Sequence, residues 1–121
     1  MTINPKLLEP TLLWENQNPN VALAPFNLPI TNPYIYKKLI IEYKTNSGTW
    51  MGRKRVEITA NYGGYRCYIS EYTTSAYRFI RSIRFDAASL DIESGGSTSP
   101  YTEDQGNNAI IITRIWGVIH D

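Results

Sequence analysis

The chain has 121 residues, a formal net charge of +1 and a hydrophobic share of 42%. That length suits one domain with its own core, so we expect a single domain over residues 1–121. No apolar stretch approaches the roughly 20 residues of a membrane-spanning helix, so no membrane insertion is expected. Cys67 is the only cysteine and His120 the only histidine, which argues against disulfide frameworks, metal clusters and histidine-based catalysis. We therefore predict a protein that is not an enzyme and carries no metal or other cofactor.

Proline dominates the N-terminal part of the chain. Five of the seven prolines lie between Pro10 and Pro33. Proline cannot donate to a strand ladder and is poorly tolerated in central strands. Residues 1–33 are therefore predicted to form edge strands and irregular connections. Trp14, within this segment, is assigned to the core or to a subunit contact.

Alternation of apolar and polar residues predicts strands along most of the remaining chain. Leu39, Ile41 and Tyr43 form one apolar face, with Glu42 and Lys44 on the opposite, solvent side. The same period of two recurs in Arg53–Ala60, in Tyr65–Ser70 (Tyr65, Cys67 and Ile69 inward) and in Ala88–Glu93.

Two regions are harder to interpret. In Tyr77–Phe85 the alternation places Arg81 on the apolar side, which requires either a bulge near Ile80 or an inward, paired arginine. Residues 94–108, rich in Gly, Ser and Asn, are predicted to form a long exposed loop or a hairpin tip. Beyond them, Ala109–Ile112 and Ile115–Ile119 are predicted as the last strands. About seven to nine short strands predict an all-β, antiparallel β-sandwich with jelly-roll-like character.

Charge is balanced overall but segregated along the chain. From Lys37 to Arg84 there are ten basic and three acidic residues, whereas Phe85 to Asp121 contains one basic and six acidic residues. A basic block is typical of nucleic-acid-binding proteins, but a net charge near zero gives little long-range attraction to phosphate. We expect the basic and acidic strands to neighbour each other within the fold or between subunits.

Few residues are suited to chemistry. Cys67 falls on an apolar strand face and is predicted to be a buried core thiol rather than a nucleophile. Asp86, Asp91 and Glu93 suit a solvated strand face better than a paired-carboxylate site. A calcium ion bound by Glu103 and Asp104 is disfavoured, because their spacing matches no calcium loop.

In its order of motifs the chain resembles small β-sandwich modules of bacteriophage tails, fibres and baseplates. The opening Leu12–Asn20, with its Leu-Trp and Asn-Pro pairs, is similar to the start of these modules, and Lys38–Tyr43 to one of their strands. The close is similar too. It comprises Arg81–Phe85, Ala88–Glu93, a glycine-serine loop, Asn107-Asn108, Ile110–Ile112 and the run Arg114–Val118. The Ala24–Pro33 segment and Gly52–Arg55 depart from the pattern.

The resemblance implies a virion structural protein, assembled in the host bacterial cytoplasm with other virion proteins and usually as a symmetric multimer. A trimer is favoured, and a host cell-surface glycan is considered as a further candidate partner. Loop position and strand parity select Trp50, Tyr68, Tyr72 and Tyr101 as stacking platforms for sugars, and Asp91, Asn107 and Asn108 as hydroxyl partners. Trp116 is assigned, like Trp14, to core or subunit contact. The alternatives are a stand-alone carbohydrate-binding domain and, less favoured, a small nucleic-acid-binding protein that uses the basic block.

Overall fold

The computed structural model describes residues 9–21, 23–30, 35–45, 53–60, 63–72, 78–86, 89–98 and 110–119. These residues form eight strands. In chain order the strands are β1 (Thr11–Glu15), β2 (Phe26–Pro29), β3 (Lys38–Thr45), β4 (Lys54–Thr59), β5 (Arg66–Tyr72), β6 (Arg78–Phe85), β7 (Ser89–Thr98) and β8 (Ile110–Val118). The described residues contain no α-helix, and none of their segments forms a helix that could cross a membrane.

The strands form two antiparallel sheets of four strands each. Sheet A has the order β1-β8-β3-β4, and sheet B has the order β2-β7-β6-β5. The predicted all-β sandwich and its strand number are therefore confirmed, while the jelly-roll-like character stays a prediction. Both sheets contribute to one apolar core, because alternate residues of each strand point toward the other sheet.

The inward faces match the sequence alternation closely. Leu39 and Ile41 of β3 and Ile83 of β6 are fully buried, and Leu90 and Ile92 of β7 are buried with them. In β4, Val56 and Ile58 are half-buried and pack against this core. Tyr65 differs from the prediction: it is 64% exposed, because β5 begins only at Arg66.

The proline-rich segment supplies an edge strand to each sheet, as predicted. β1 lies at the edge of sheet A and β2, which ends at Pro29, lies at the edge of sheet B. A register shift between Leu12 and Trp14 lets both Leu13 and Trp14 pack against the core. The rings of Trp14 and Phe26 lie 4.8 Å apart, so the two edge strands are joined through their aromatic residues.

The C-terminal part of the fold differs from the predicted boundaries. β8 is one continuous strand rather than two, with a register shift against β3 near Thr113. β7 continues to Thr98 and pairs with β6, so it takes in the first five residues of the segment predicted as a loop. Residues 99–108 of that segment lie outside the described residues.

Gly117 explains part of the C-terminal motif in physical terms. A Cβ atom at this position would overlap the ring of Tyr36, which packs directly against the glycine backbone. Tyr36 is half-buried and packs against the core in turn. Because glycine has no side chain, the Tyr36 ring can pack directly on the backbone of β8 at position 117.

Candidate assembly and ligand-binding surfaces

A row of alternating charges crosses the outer face of sheet A. Strand register places Glu15, Arg114, Glu42 and Arg55 side by side on β1, β8, β3 and β4. Arg114 Nε donates to Glu15 Oε2 at 2.7 Å, and Arg55 Nε lies 3.6 Å from Glu42 Oε2. Opposite charges on neighbouring strands favour this register. We call these four residues the charge row.

Glu42 is the centre of the charge row and lies opposite the apolar face, as predicted, but the expectation that it is exposed to solvent is wrong. Its exposure is only 4%, because neighbouring side chains cover the carboxylate. Thr113 Oγ1 donates to Glu42 Oε1 at 2.7 Å, and Arg53 Nη1 donates to the same oxygen at 3.2 Å. Burial alone would raise the pKa of Glu42, but these hydrogen bonds and the charge of Arg114 outweigh it and lower the pKa. Glu42 is therefore a buried, ionised carboxylate.

An apolar strip lies beside the charge row on the same face. Leu12 pairs with Trp116, and Trp116 pairs with Ile40, so the three side chains follow one another across β1, β8 and β3. Leu12 is 50% exposed, and Trp116 and Ile40 are half-buried. The guanidinium carbon of Arg55 lies 4.6 Å from the centroid of the Trp116 ring, a cation–π contact. We call Leu12, Trp116 and Ile40 the apolar strip.

Two of the seven predicted glycan-contact residues lie on the outer face of sheet B. Tyr68 of β5 is 63% exposed, and Asp91 of β7 is half-buried. Tyr72 belongs to the same strand as Tyr68, and its backbone pairs with that of Arg78. Trp50, Tyr101, Asn107 and Asn108 lie outside the described residues. Of the predicted set, Tyr68 and Asp91 are the members whose side chains the structure describes, and they lie on the same face.

A hydrogen-bonded network, missed by sequence reasoning, lies between these two positions. Arg66 binds Glu93 in bidentate fashion, with Nε at 2.9 Å and Nη2 at 3.2 Å from its two carboxylate oxygens. Ser82 Oγ donates to the same carboxylate at 2.6 Å. The hydrogen bonds from Arg66 and Ser82 lower the pKa of Glu93, so this carboxylate is ionised and fixed in place. Strand parity placed Glu93 on the outer face, but it could not show which side chains would meet there.

Asn27 extends this polar surface to the edge strand β2. Its Nδ2 donates to Ser89 Oγ at 3.0 Å and also to Asp91 Oδ1. Beside these groups, Asp91 and Glu93 border a shallow depression whose other walls are Pro25, Phe26 and Ile92.

Arg81 is inward, as one of the two predicted alternatives requires, but no carboxylate of the described residues pairs with it. It points inward with 0% exposure, and the pairing of β6 with β7 shifts register between Arg81 and Ile83. Its Nη1 donates to the carbonyl oxygens of Leu23 at 2.8 Å and Ile110 at 3.4 Å. Nε and Nη2 are buried without a hydrogen-bond acceptor. Burial lowers the pKa of Arg81 to about 10, so the group is still charged near neutral pH.

Cys67 is a half-buried free thiol that packs against the core. Burial raises its pKa to about 11, which keeps it in the unreactive thiol form near neutral pH. It lies in a small cleft between edge strands β4 and β5, with Ile58 and Phe85 among its neighbours. Among the described residues, no group of three or more His, Cys, Asp and Glu side chains comes together as a metal site.

The basic block (residues 37–84) and the acidic part (residues 85–121) form ion pairs with each other, but some ion pairs also lie within the basic block. Arg66 of the basic block pairs with Glu93 of the acidic part, across β6. Other pairs lie within the basic block, such as Lys38 with Glu57 at 3.7 Å and Arg53 with Glu42 at 3.2 Å. The basic block therefore neutralises some of its own charge, in addition to the contact with acidic β7.

Comparisons with known proteins found no matching family model, no matching curated protein and no matching solved structure.

Proposed function

We propose that this protein is a non-enzymatic structural module of a bacteriophage virion, at the tail fibre, tail tip or capsid surface. It acts by assembling with other virion proteins and with copies of itself, and its place is the virion, after assembly in the host bacterial cytoplasm. The observation that carries the proposal is the apolar strip on the outer face of sheet A. The resemblance of the motif order to bacteriophage tail modules is the reason for proposing a virion as the place of assembly.

The apolar strip has the composition of a subunit contact. A tryptophan flanked by aliphatic side chains is typical of the buried centre of protein interfaces, and charged residues usually surround such a centre. Here Leu12 is half exposed at an edge strand, and the charge row with Arg55 and Arg114 lies along one side. A face of this kind is suited to burial against a second protein surface. A symmetric homo-oligomer, with a trimer favoured, is the form that we propose.

The chemistry of the chain favours assembly over catalysis. The only cysteine has a pKa raised to about 11, and the sequence contains a single histidine. Nucleophilic catalysis needs an activated nucleophile with a base within hydrogen-bond reach. The ionised Glu42 is enclosed by Arg53 and Thr113, a surrounding suited to structural rather than acid–base use.

The apolar strip is tested by placing a charge on it. Leu12→Glu should shift the sedimentation coefficient of the assembled protein to that of the monomer, because a carboxylate would be buried in the subunit contact. Val21→Glu is the matched control: Val21 is 52% exposed, much like Leu12 at 50%, and it lies outside the strip. An unchanged sedimentation coefficient for Leu12→Glu, or equal dissociation of both variants, would contradict the assignment of this face.

A carbohydrate-binding domain is the second candidate function, and the outer face of sheet B favours it. The exposed Tyr68 beside the fixed Arg66–Glu93 pair is the arrangement that suits a sugar ring and its hydroxyl groups. Glycan attachment is compatible with the virion role and is developed below.

Nucleic-acid binding is not favoured by the ion pairs of the basic block. Arg53, Arg55 and Arg66 all lie within 4 Å of carboxylates, which compete with phosphate for these guanidinium groups. Measuring nucleic-acid affinity over a series of salt concentrations tests this hypothesis, because phosphate binding weakens steeply with ionic strength.

A further inference from the structure

Among the described side chains, the outer face of sheet B presents one aromatic ring and several fixed polar groups in a single layer. Strand register aligns Arg66, Arg84, Asp91 and Asn27 across β5, β6, β7 and β2. Tyr68 pairs with Ser82 in the adjacent position of β5 and β6. Because all of these residues stand on paired strands, their relative positions are set by the sheet rather than by loops.

Tyr68 is the exposed platform of this face. Its exposure is 63%, although it lies in the middle of a strand that is paired with β6. A tyrosine held in this way offers a stiff, amphipathic contact surface at little cost in conformational entropy. The C–H face of a pyranose ring is a ligand surface that such a ring can cover.

The polar groups near Tyr68 are already oriented. Glu93 is held by Arg66 on one side and by Ser82 on the other, at distances of 2.6–3.2 Å. Asp91 accepts a hydrogen bond from Asn27. A carboxylate can accept more hydrogen bonds than these contacts use, because each oxygen has two lone pairs. The side chain of Glu93 keeps 27% exposure, so its remaining acceptor capacity suits donation from ligand hydroxyl groups on the outer face of the sheet.

The charges of this face select the class of ligand. Its two described arginine side chains are already engaged, Arg66 with Glu93 and Arg84 with Asp86 at 3.9 Å. With Asp91 added, carboxylates outnumber guanidinium groups among the described side chains here. An anionic sugar would meet a like charge that no free cation of the described set offsets, whereas a neutral sugar would not.

We propose that the outer face of sheet B binds neutral saccharide chains, with Tyr68 stacked on a pyranose ring and Glu93 and Asp91 accepting hydrogen bonds from its hydroxyl groups. This inference rests on the proposed attachment role and names the site and the ligand class for it. Arg66 and Ser82 act as positioning residues, since they hold the Glu93 carboxylate.

The test uses the full chain and two series of immobilised oligosaccharides: neutral hexose oligomers, and the same backbones that carry uronate groups. The wild-type protein should bind at least one neutral oligomer and should bind its uronate counterpart at least tenfold more weakly. Tyr68→Ala should lower affinity for the neutral oligomer at least tenfold, and Tyr68→Phe should stay within threefold because the ring is kept. Tyr65→Ala is the matched control: Tyr65 is 64% exposed but precedes β5 and lines the cleft beside Cys67, so this variant should bind like the wild type.

Preference for uronate oligomers, or equal losses in Tyr65→Ala and Tyr68→Ala, would overturn the inference. Absence of any neutral ligand would overturn it as well. Glu93→Gln adds an independent readout: it should weaken neutral-sugar binding while thermal unfolding shows whether the fold is kept. Sedimentation on the same samples separates this inference from the assembly proposal. If the protein is a multimer but binds no neutral sugar, only the saccharide site is contradicted. If it is a monomer that binds a neutral sugar, only the proposed homo-oligomer is contradicted.

Discussion

Arg81 is the largest fully buried side chain in the described part of the structure, and two of its nitrogen atoms have no acceptor. Its polar contacts are two backbone carbonyl oxygens, of Leu23 and Ile110. A buried charge costs free energy unless it is paired and hydrogen-bonded. The inward position of Arg81 therefore opposes folding, although its long side chain fills the core beside Ile83.

Arg81→Met is expected to raise the free energy of unfolding by about 1–3 kcal/mol, because an apolar side chain of similar length removes the buried charge. Denaturant unfolding at neutral pH measures the change. Arg81→Lys keeps the charge with fewer donors and should be less stable than the wild type. An Arg81→Met variant that is less stable than the wild type would show that the hydrogen bonds of the guanidinium group outweigh the cost of its burial.

At the scale of single residues, the sequence predicted inward and outward positions better than it predicted partners. Alternation identified Leu39, Ile41 and Ile83 as inward because each neighbours polar residues of the opposite parity. It could not predict the burial of Glu42, which depends on Thr113 of a strand that is 71 positions away. Contacts of this kind are set by strand order, which a local pattern does not contain.

At the scale of strands, the charge row joins β1, β8, β3 and β4 across sheet A. Cross-strand pairs of opposite charge each contribute modestly when exposed. Glu42 differs, because its carboxylate is buried and accepts hydrogen bonds from Thr113 and Arg53. Its loss would leave the surrounding guanidinium groups without their central partner.

Glu42→Gln is expected to lower the free energy of unfolding by about 1–3 kcal/mol at neutral pH, through lost charge-assisted hydrogen bonds. Because the pKa of Glu42 is lower in the folded state, its stabilisation is complete above the ordinary value of about 4.5 and is lost as pH falls through the folded value. Denaturant unfolding at neutral pH and at about pH 3 measures both effects. The difference between wild type and variant should shrink at the lower pH.

Glu57→Gln is the control for this comparison. The side chain of Glu57 is 64% exposed and lies 3.7 Å from Lys38, so the change should stay within about 0.5 kcal/mol. A Glu42→Gln effect no larger than that of Glu57→Gln, or one independent of pH, would contradict the structural role of the buried carboxylate.

Strand identity was largely predictable, and strand boundaries were not. Prolines identified the edge strands β1 and β2, because proline is excluded from central ladders. β8 was predicted as two strands because Thr113 and Arg114 interrupt its apolar run. In the sheet this interruption is only a register shift against β3, with Thr113 bonded to Glu42. Pairing with β3 therefore keeps β8 continuous across Thr113 and Arg114, where the local sequence pattern predicts a break.

At the scale of the whole molecule, the sandwich presents two outer faces of different character. Sheet A carries the apolar strip and the charge row, and sheet B carries Tyr68 beside the fixed Glu93 carboxylate. The first suits burial against another subunit, and the second suits a ligand that exchanges hydrogen bonds with water. Sequence parity placed Tyr68 and Asp91 on an outer face, but it could not assign them to the sheet opposite Trp116, because sheet membership follows from topology.

The mass of the native protein in solution tests the central claim, that this chain functions as an assembled module. Sedimentation equilibrium over a dilution series measures it without reference to any ligand. We expect a discrete symmetric multimer, with a trimer favoured, that persists at micromolar concentration and is lost in Leu12→Glu. A wild-type protein that stays strictly monomeric over the whole series would contradict the proposal of homo-oligomeric assembly through the outer face of sheet A.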